Sequence, residues 1–143
     1  MAVLRMGFDA VRIDRMEKKL KGEAFCRRAF SEEENALFAR KKHPAPTAAA
    51  NFAAKEALAK ALRCGIFGFD LREAPVLRRE DGSPYFAFSG ELARRMEQEG
   101  LAAELSLSHE GEYAFAVVLL QPAEKRSAGG EEQGTQEERE CRG

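Results

Sequence analysis

The feature that most constrains the fold of this chain is an alanine-rich stretch from Phe52 to Leu62, which reads FAAKEALAKAL. Alanine and leucine have high helix propensities, so this stretch predicts a helix from about residue 48 to residue 63. Thr47 is a suitable N-cap, and Gly65 is suited to end the helix in a left-handed conformation. Charged residues are few in so apolar a helix, and those that occur there are therefore candidates for a functional role.

Two of these charged residues, Glu56 and Lys60, border the apolar stripe of the predicted helix. At about 100° per residue, Glu56 lies about 40° from Phe52 around the helix axis. Lys60 follows one turn later, so both side chains reach the same spot. A carboxylate and an ammonium at the edge of a core suggest a metal or phosphate site. Taken alone, such a pair is more often a solvated surface ion pair.

A second carboxylate of interest is Asp9, in a predicted strand from residue 3 to residue 13. Asp9 shares one strand face with Val11 and Ile13, and the other face holds Leu4, Met6, Phe8 and Ala10. An aspartate among apolar neighbours is costly to bury unless it is paired or bound to a cation. The alternative is a strand-end aspartate whose oxygens accept from backbone N–H groups.

The rest of the chain predicts an α+β domain with an antiparallel sheet. A helix begins near Asp14, and Ser31 with Glu34 forms a capping box that opens another helix, to about residue 40. We expect a loop over 41–47 and then a hairpin formed by residues 76–79 and 85–88. A helix from Ser89 to Gly100 follows. Two strands, over 104–108 and 113–120, are joined by a turn over 109–112. Because the strands cluster after the helices and pair through hairpins, the class is α+β.

Residues 64–70 predict an ordered loop rich in glycine and phenylalanine. One interpretation is a helix exit that packs Ile66, Phe67 and Phe69 into the core. The other is a flexible backbone at Gly65 and Gly68 that lies beside a phosphate.

Composition bounds the class of protein. The 143 residues suffice for one domain, and the net charge of −1 gives no case for nucleic-acid binding. No apolar run approaches the roughly 20 residues of a membrane span, and no secretory signal is visible. Three scattered cysteines, at 26, 64 and 141, favour a reducing, cytoplasmic location. We assign residues 1–123 to the working domain and residues 124–143, which are almost without apolar side chains, to a disordered tail.

Five motifs together resemble one family over roughly residues 3–120. They are Gly7-x-Asp9-x-Val11-x-Ile13-x-Arg15, Phe30-Ser31-x-x-Glu34, Phe52-Ala53-Ala54-Lys55-Glu56-Ala57-x-x-Lys60-Ala61, Gly82-x-Pro84, and Ser106-x-Ser108-His109-x-x-x-Tyr113-Ala114-x-Ala116. In this order and spacing the chain resembles the holo-[acyl-carrier-protein] synthases, the short bacterial 4′-phosphopantetheinyl transferases. The block around Glu56 is the most specific of the five motifs.

The resemblance implies that the chain moves the phosphopantetheine arm of coenzyme A to a serine of apo-acyl-carrier protein and releases adenosine 3′,5′-bisphosphate. Asp9 and Glu56 match the two carboxylates that bind Mg²⁺ in the family, and Lys60 matches the lysine at the pyrophosphate. Clustered phosphate charge needs such neutralisation. The preferred base for the serine proton is a water on the metal, oriented by Asp9 or Glu56. Direct abstraction by a carboxylate stays open.

Further site residues follow from the same resemblance. Ser108 and His109 would contact the phosphates of coenzyme A, Pro84 would lie near the adenine, and Gly65 would lie beside the phosphate site. Arg15 and Arg28 would dock the acidic helix of the carrier protein. A family homotrimer would place each site between neighbouring subunits. The alternative for His109 and the two arginines is ordinary surface exposure.

Three departures from the family pattern bear on the nucleotide end of the site. Asn51 stands where many members have arginine, Arg63 and Cys64 replace a Gly-Thr pair, and Phe8 replaces a smaller residue. Arg63 is a candidate for the missing positive charge. Two other functions remain open: a non-catalytic trimer that binds carrier protein, and a metal-dependent phosphohydrolase. Incubation with coenzyme A alone distinguishes the phosphohydrolase from the other two functions, because a hydrolase needs no carrier protein.

Overall fold

A computed structural model describes residues 4–124 of the chain, so the predicted tail lies outside the described residues apart from Glu124. The elements in chain order are β1 (Arg5–Arg12), α1 (Ile13–Lys19), α2 (Glu23–Ala29), α3 (Glu32–Ala39), α4 (Ala45–Ala61), a 3₁₀ turn (Leu71–Glu73), β2 (Val76–Arg78), β3 (Pro84–Phe86), α5 (Gly90–Gln98), β4 (Leu101–Glu110) and β5 (Tyr113–Pro122).

The strands form two antiparallel sheets. β5 lies in the middle of a three-stranded sheet ordered β1-β5-β4, and β2 pairs with β3 as a separate hairpin. Asp9 lies opposite Ala116 in the β1–β5 register. The α+β class predicted from the sequence is confirmed. None of the helices in residues 4–124 combines the length and the apolar character that a bilayer span requires.

Helix α4 packs closely against β1 and β5, and small residues make this possible. Ala53, Ala54 and Ala57 are fully buried at this contact. A Cβ atom added at Gly7 would overlap the carbonyl oxygen of Ala57, so only glycine fits there. Asp9 is two residues further along β1 and shares this face, so its carboxylate is directed towards α4.

The opposite face of the sheet is apolar and exposed. Met6 and Phe8 of β1 are 70% and 55% exposed, and Val117 of β5 is 37% exposed. The ring of Phe8 stacks on Phe115, with centroids 6.2 Å apart. The alternation predicted for β1 is therefore present: Met6 and Phe8 lie on the outer face, and Val11 packs against the core on the inner face.

The ends of α4 differ from the sequence prediction. The helix begins at Ala45, with Pro44 as its N-cap residue, so Thr47 lies within the first turn and caps nothing. Proline is well tolerated there because the first N–H groups have no intrahelical acceptor. At the other end Arg63, with φ of 59°, takes the left-handed conformation expected of Gly65. The N–H of Cys64 then donates to the Ala59 carbonyl at 3.0 Å, which closes the helix.

Other predicted boundaries also shift. The segment after β1 forms two short helices separated at Gly22 instead of one. Ser89 precedes α5 but makes no side-chain cap, and Glu73 accepts from the Leu92 N–H at 3.2 Å instead. The Ser31–Glu34 capping box is present as predicted.

His109 lies within strand β4, not in a turn. It pairs with Ala114, and the turn to β5 contains only two residues, with Gly111 at φ of 58°. In the 64–70 loop Phe69 packs against the core, whereas Phe67 is 94% exposed. The interpretation that packs Phe67 into the core is therefore wrong.

Candidate active site

The predicted catalytic residues Asp9 and Lys60 meet where β1 crosses α4. Lys60 Nζ donates to Asp9 Oδ1 at 2.8 Å and to the Phe8 carbonyl oxygen at 3.0 Å. The Asp9 side chain is only 12% exposed, whereas that of Lys60 is 58% exposed. Lys60 is thus anchored on β1 with access to solvent, as a residue that binds a phosphate needs to be.

Glu56 lies beside this pair and carries an unusual pKa. Burial, followed by a hydrogen bond with Asp9 and the charge of Asp9, raises the pKa of Glu56 to about 8. Lys60 and Lys19 oppose this increase because their positive charges favour the carboxylate. The two acids therefore resist being ionised together unless a positive charge joins them.

The site fits a divalent cation. While Glu56 is ionised, Asp9 Oδ2 is buried and has no hydrogen-bond partner among the described residues. Residues 4–124 contain no cluster of three or more acidic, histidine or cysteine side chains that could hold a metal. Two carboxylates are nevertheless a usual protein contribution to Mg²⁺, which completes its shell with water and phosphate oxygens. Asp9 and Glu56 are the residues that could hold it.

Glu56 lines two clefts. The aromatic cleft, of about 570 Å³, is lined by Lys19, Arg28, Glu56, Arg72 and a set of apolar residues that includes Phe25, Phe52, Ile66 and Phe67. The Tyr113 cleft, of about 440 Å³, is lined by Arg15, Lys19, Phe52, Glu56 and Tyr113 among others. The structure therefore places each predicted docking arginine in a cleft that Glu56, a predicted catalytic residue, also lines.

The predicted nucleotide-binding residues lie elsewhere on the chain. Pro84, Ser108 and His109 line the His109 cleft, of about 260 Å³, together with Thr47 and Arg78. None of Asp9, Glu56 and Lys60 lines it. Thr47 and Lys60 are 13 residues apart on α4, which is about 20 Å along the axis. Within one chain the predicted site is thus divided into two parts. Gly65 lies in the loop after α4 and lines none of these three clefts.

A buried polar network beside the His109 cleft was missed by the sequence analysis. Lys55 Nζ donates to Glu34 Oε1 at 2.6 Å, and both side chains are fully buried. Asn51 donates to Glu34 Oε2 at 2.9 Å and accepts from Arg78 Nη2 at 2.8 Å. Burial lowers the pKa of Lys55, and the charge of Glu34 opposes this. The signal for Lys55 was its place in the otherwise buried alanine helix.

Within one chain, Arg63 lies away from Asn51 and from the His109 cleft. It is exposed, follows the C-terminal end of α4 and does not line the His109 cleft, whereas Asn51 is hydrogen-bonded to Arg78. The two residues are 12 positions apart on or beside one helix, about 18 Å by helix rise. Within one chain, Arg78 is the positively charged residue that both hydrogen-bonds to Asn51 and lines the His109 cleft.

Comparison with known proteins decides the family. The model of the 4′-phosphopantetheinyl transferase superfamily matches residues 5–118, which include the catalytic and the nucleotide-binding candidates. The chain belongs to this superfamily. The resemblance predicted from the five motifs is thereby confirmed.

Individual superfamily members agree with this assignment. The holo-[acyl-carrier-protein] synthase of Syntrophotalea carbinolica is 42% identical over 120 residues, covering 81% of this chain and 94% of that protein. The crystal structure of the Neisseria meningitidis holo-[acyl-carrier-protein] synthase superposes with a TM-score of 0.75 at 32% identity, covering 81% and 96% of the two chains. The Helicobacter pylori enzyme, solved in complex with coenzyme A, has a TM-score of 0.69 at 30% identity, covering 80% and 98%.

Proposed function

We propose that this chain is a Mg²⁺-dependent holo-acyl-carrier-protein synthase, which transfers 4′-phosphopantetheine from coenzyme A to a serine of apo-acyl-carrier protein. The observation that carries the proposal is the arrangement of Asp9, Glu56 and Lys60 across β1 and α4 in a member of this superfamily. Relatives that carry this enzyme name, and one solved with coenzyme A, support the choice of substrates.

The reaction forms a bond from the serine Oγ to the phosphorus that carries the pantetheine arm. The pyrophosphate P–O bond breaks, and its bridging oxygen leaves with adenosine 3′,5′-bisphosphate. Mg²⁺, held by Asp9 and Glu56, would supply the positive charge that neutralises the pyrophosphate. The Lys60 ammonium faces solvent beside Asp9, so it is placed to offset charge that develops on the leaving group.

The serine proton needs an acceptor, and Glu56 is the candidate. The pKa of about 8 belongs to the metal-free protein, in which Glu56 is mostly protonated at neutral pH. A cation held beside Asp9 would favour the carboxylate, which is the form that can accept the serine proton. Glu56 is half-buried and lines both the aromatic cleft and the Tyr113 cleft, so a serine that enters either cleft would meet it directly or through one water molecule.

Carrier-protein docking would use the two clefts beside Glu56. Arg15 and Arg28 are exposed and form no ion pair within residues 4–124, so their charges are available to an acidic partner. The exposed Phe67 and the neighbouring rings of the aromatic cleft offer apolar contact beside Arg28. An amphipathic acidic helix matches this combination.

A homotrimer is supported by two observations. The outer sheet face, with Met6, Phe8 and Val117, is apolar and needs a cover, and a second copy of the chain offers the same surface. The division of the site within one chain also calls for a neighbour to complete it. Sedimentation equilibrium tests this: wild type should have three times the chain mass, and Phe8→Asp should have the mass of one chain. A monomeric wild type would refute the trimer.

The remaining proposals concern the chain as a whole. Cys26 and Cys64 are free thiols, which supports a reducing, cytoplasmic location. We also propose that residues 1–123 are sufficient for activity. Deleting residues 124–143 should leave the melting temperature and the transfer rate unchanged, because this segment has little apolar surface. A fall of several degrees, equivalent to about 1 kcal/mol, would contradict this.

The deciding experiment is direct. Purified chain, coenzyme A, Mg²⁺ and apo-acyl-carrier protein are incubated, and the carrier is weighed by mass spectrometry while the nucleotide product is separated by chromatography. We expect one phosphopantetheine per carrier, one adenosine 3′,5′-bisphosphate per transfer, and neither product with Glu56→Gln. Nucleotide release without carrier protein would instead support the phosphohydrolase, and carrier binding without modification would support the non-catalytic trimer.

A further inference from the structure

Arg78 lines the His109 cleft, and no carboxylate among the described residues pairs with its guanidinium. Its Nη2 donates to Asn51 Oδ1 at 2.8 Å, and its Nη1 reaches only the carbonyl oxygens of Val76 and Leu77, both at 3.4 Å. Within residues 4–124 it forms no ion pair. Burial lowers its pKa, and the nearby Glu34 charge opposes this decrease. An arginine that has lost part of its hydration in this way binds an anion favourably.

The neighbouring charges leave one positive charge uncompensated. Glu34 Oε1 accepts from Lys55 and Oε2 accepts from Asn51, so both oxygens of this carboxylate are occupied. Lys55 and Arg78 therefore share one buried acid between them. Asn51 also donates to the Val76 carbonyl at 3.0 Å, which turns its amide oxygen towards Arg78 and holds the guanidinium in place.

The rest of the cleft is also suited to an anion. Among the described residues no acidic side chain lines it, while Thr47 and Ser108 bring hydroxyl groups and His109 brings an imidazole. Hydroxyl, imidazole and guanidinium groups are all donors to phosphate oxygens. The cleft therefore combines one fixed positive charge with several hydrogen-bond donors.

We infer that Arg78, held in place by Asn51, binds the 3′-phosphate of coenzyme A in the His109 cleft. The inference rests on the proposed function. The pyrophosphate contains the reacting phosphorus, so it would bind beside Asp9 and Glu56. Neither of these two residues lines the His109 cleft. Coenzyme A has one further phosphate, on the 3′ position of the ribose, and that group is left for Arg78.

Dephospho-coenzyme A, which lacks only the 3′-phosphate, tests this inference. Arg78→Gln should lower kcat/KM for coenzyme A by about 10- to 100-fold, mainly through KM, because a charge-assisted hydrogen bond is lost. With dephospho-coenzyme A the variant and the wild type should differ by less than about 3-fold. Arg78→Lys should recover part of the loss. Arg94→Gln, which removes an exposed arginine on α5 that lines none of these clefts, is the charge-matched control and should behave as wild type with both substrates.

The two substrates separate the possible failures. If Arg78→Gln lowers kcat/KM by the same factor with coenzyme A and with dephospho-coenzyme A, Arg78 supports the fold or contacts the pyrophosphate, and the inference is wrong. If the variant keeps full efficiency with coenzyme A, Arg78 does not bind the substrate. If the wild type transfers phosphopantetheine from neither compound, the proposed function itself fails, and isothermal titration of wild type and Arg78→Gln with adenosine 3′,5′-bisphosphate against adenosine 5′-monophosphate still tests the 3′-phosphate contact.

Discussion

Replacing Glu56 with glutamine should make the metal-free protein more stable at alkaline pH while abolishing transfer. The pKa of Glu56 is about 8 in the folded protein and 4.5 in the reference state. Between these two values the folded chain binds more protons than the unfolded chain, so the free energy of unfolding falls as pH rises. Glutamine resembles the protonated acid and does not ionise, so the variant does not lose unfolding free energy at this position as pH rises.

The size of the effect follows from the shift. A displacement from 4.5 to about 8 corresponds to at most about 5 kcal/mol if all of it were a folded-state penalty. Glu56 is only half-buried and is coupled to Asp9, so screening by solvent reduces this considerably. We expect Glu56→Gln to gain about 1–2 kcal/mol at pH 8.5 and little below pH 5.

The assay is thermal or urea unfolding of both proteins from pH 5 to pH 9, in a chelating buffer and at one protein concentration. Glu97→Gln, on the exposed face of α5, is the matched control and should show no pH-dependent difference. Added Mg²⁺ should stabilise the wild type more than the variant, because the variant has lost one carboxylate ligand. A Glu56→Gln protein that is less stable than wild type at pH 8.5 in chelator would refute the reasoning.

Three further predictions follow from the site and the helix end. Asp9→Asn should abolish transfer as Glu56→Gln does, and the double variant should be barely slower than either single, which single-turnover rates will show. Arg15→Glu and Arg28→Glu should raise KM for the carrier protein but not for coenzyme A, and the defect should shrink as salt rises; weaker coenzyme A binding in a titration would contradict this. Arg63→Gly should raise the free energy of unfolding by about 0.5–1 kcal/mol, because glycine accepts the left-handed backbone; an unchanged urea midpoint would argue against strain there.

Local features were predictable from the sequence because short-range geometry determines them. The capping box needs only Ser31 and Glu34 three residues apart, and the placement of Glu56 and Lys60 on one side of α4 follows from the helical period. The β2–β3 hairpin likewise follows from the Gly82 turn. The family was predictable because several such local motifs occur in a specific order.

Some local predictions were wrong where two local solutions compete. A proline-rich segment reads as a loop, yet proline also suits a first helical turn, and α4 therefore begins at Ala45. Glycine is preferred at a left-handed helix end, but at Arg63 the helix ended two residues before the nearest glycine. The sequence predicts a turn at His109, because a two-residue turn at Gly111 is difficult to distinguish from a four-residue one.

By itself, then, the sequence determined the helices, the hairpins, the family and the identity of the candidate catalytic residues. Only the tertiary structure decided how those residues act on one another. Asp9 and Lys60 are 51 residues apart, and their contact exists because Gly7 lets β1 approach the backbone of α4. The raised pKa of Glu56 has the same origin, since burial and a neighbouring carboxylate are properties of packing. Such contacts depend on which surfaces meet, and spacing along the chain does not determine that.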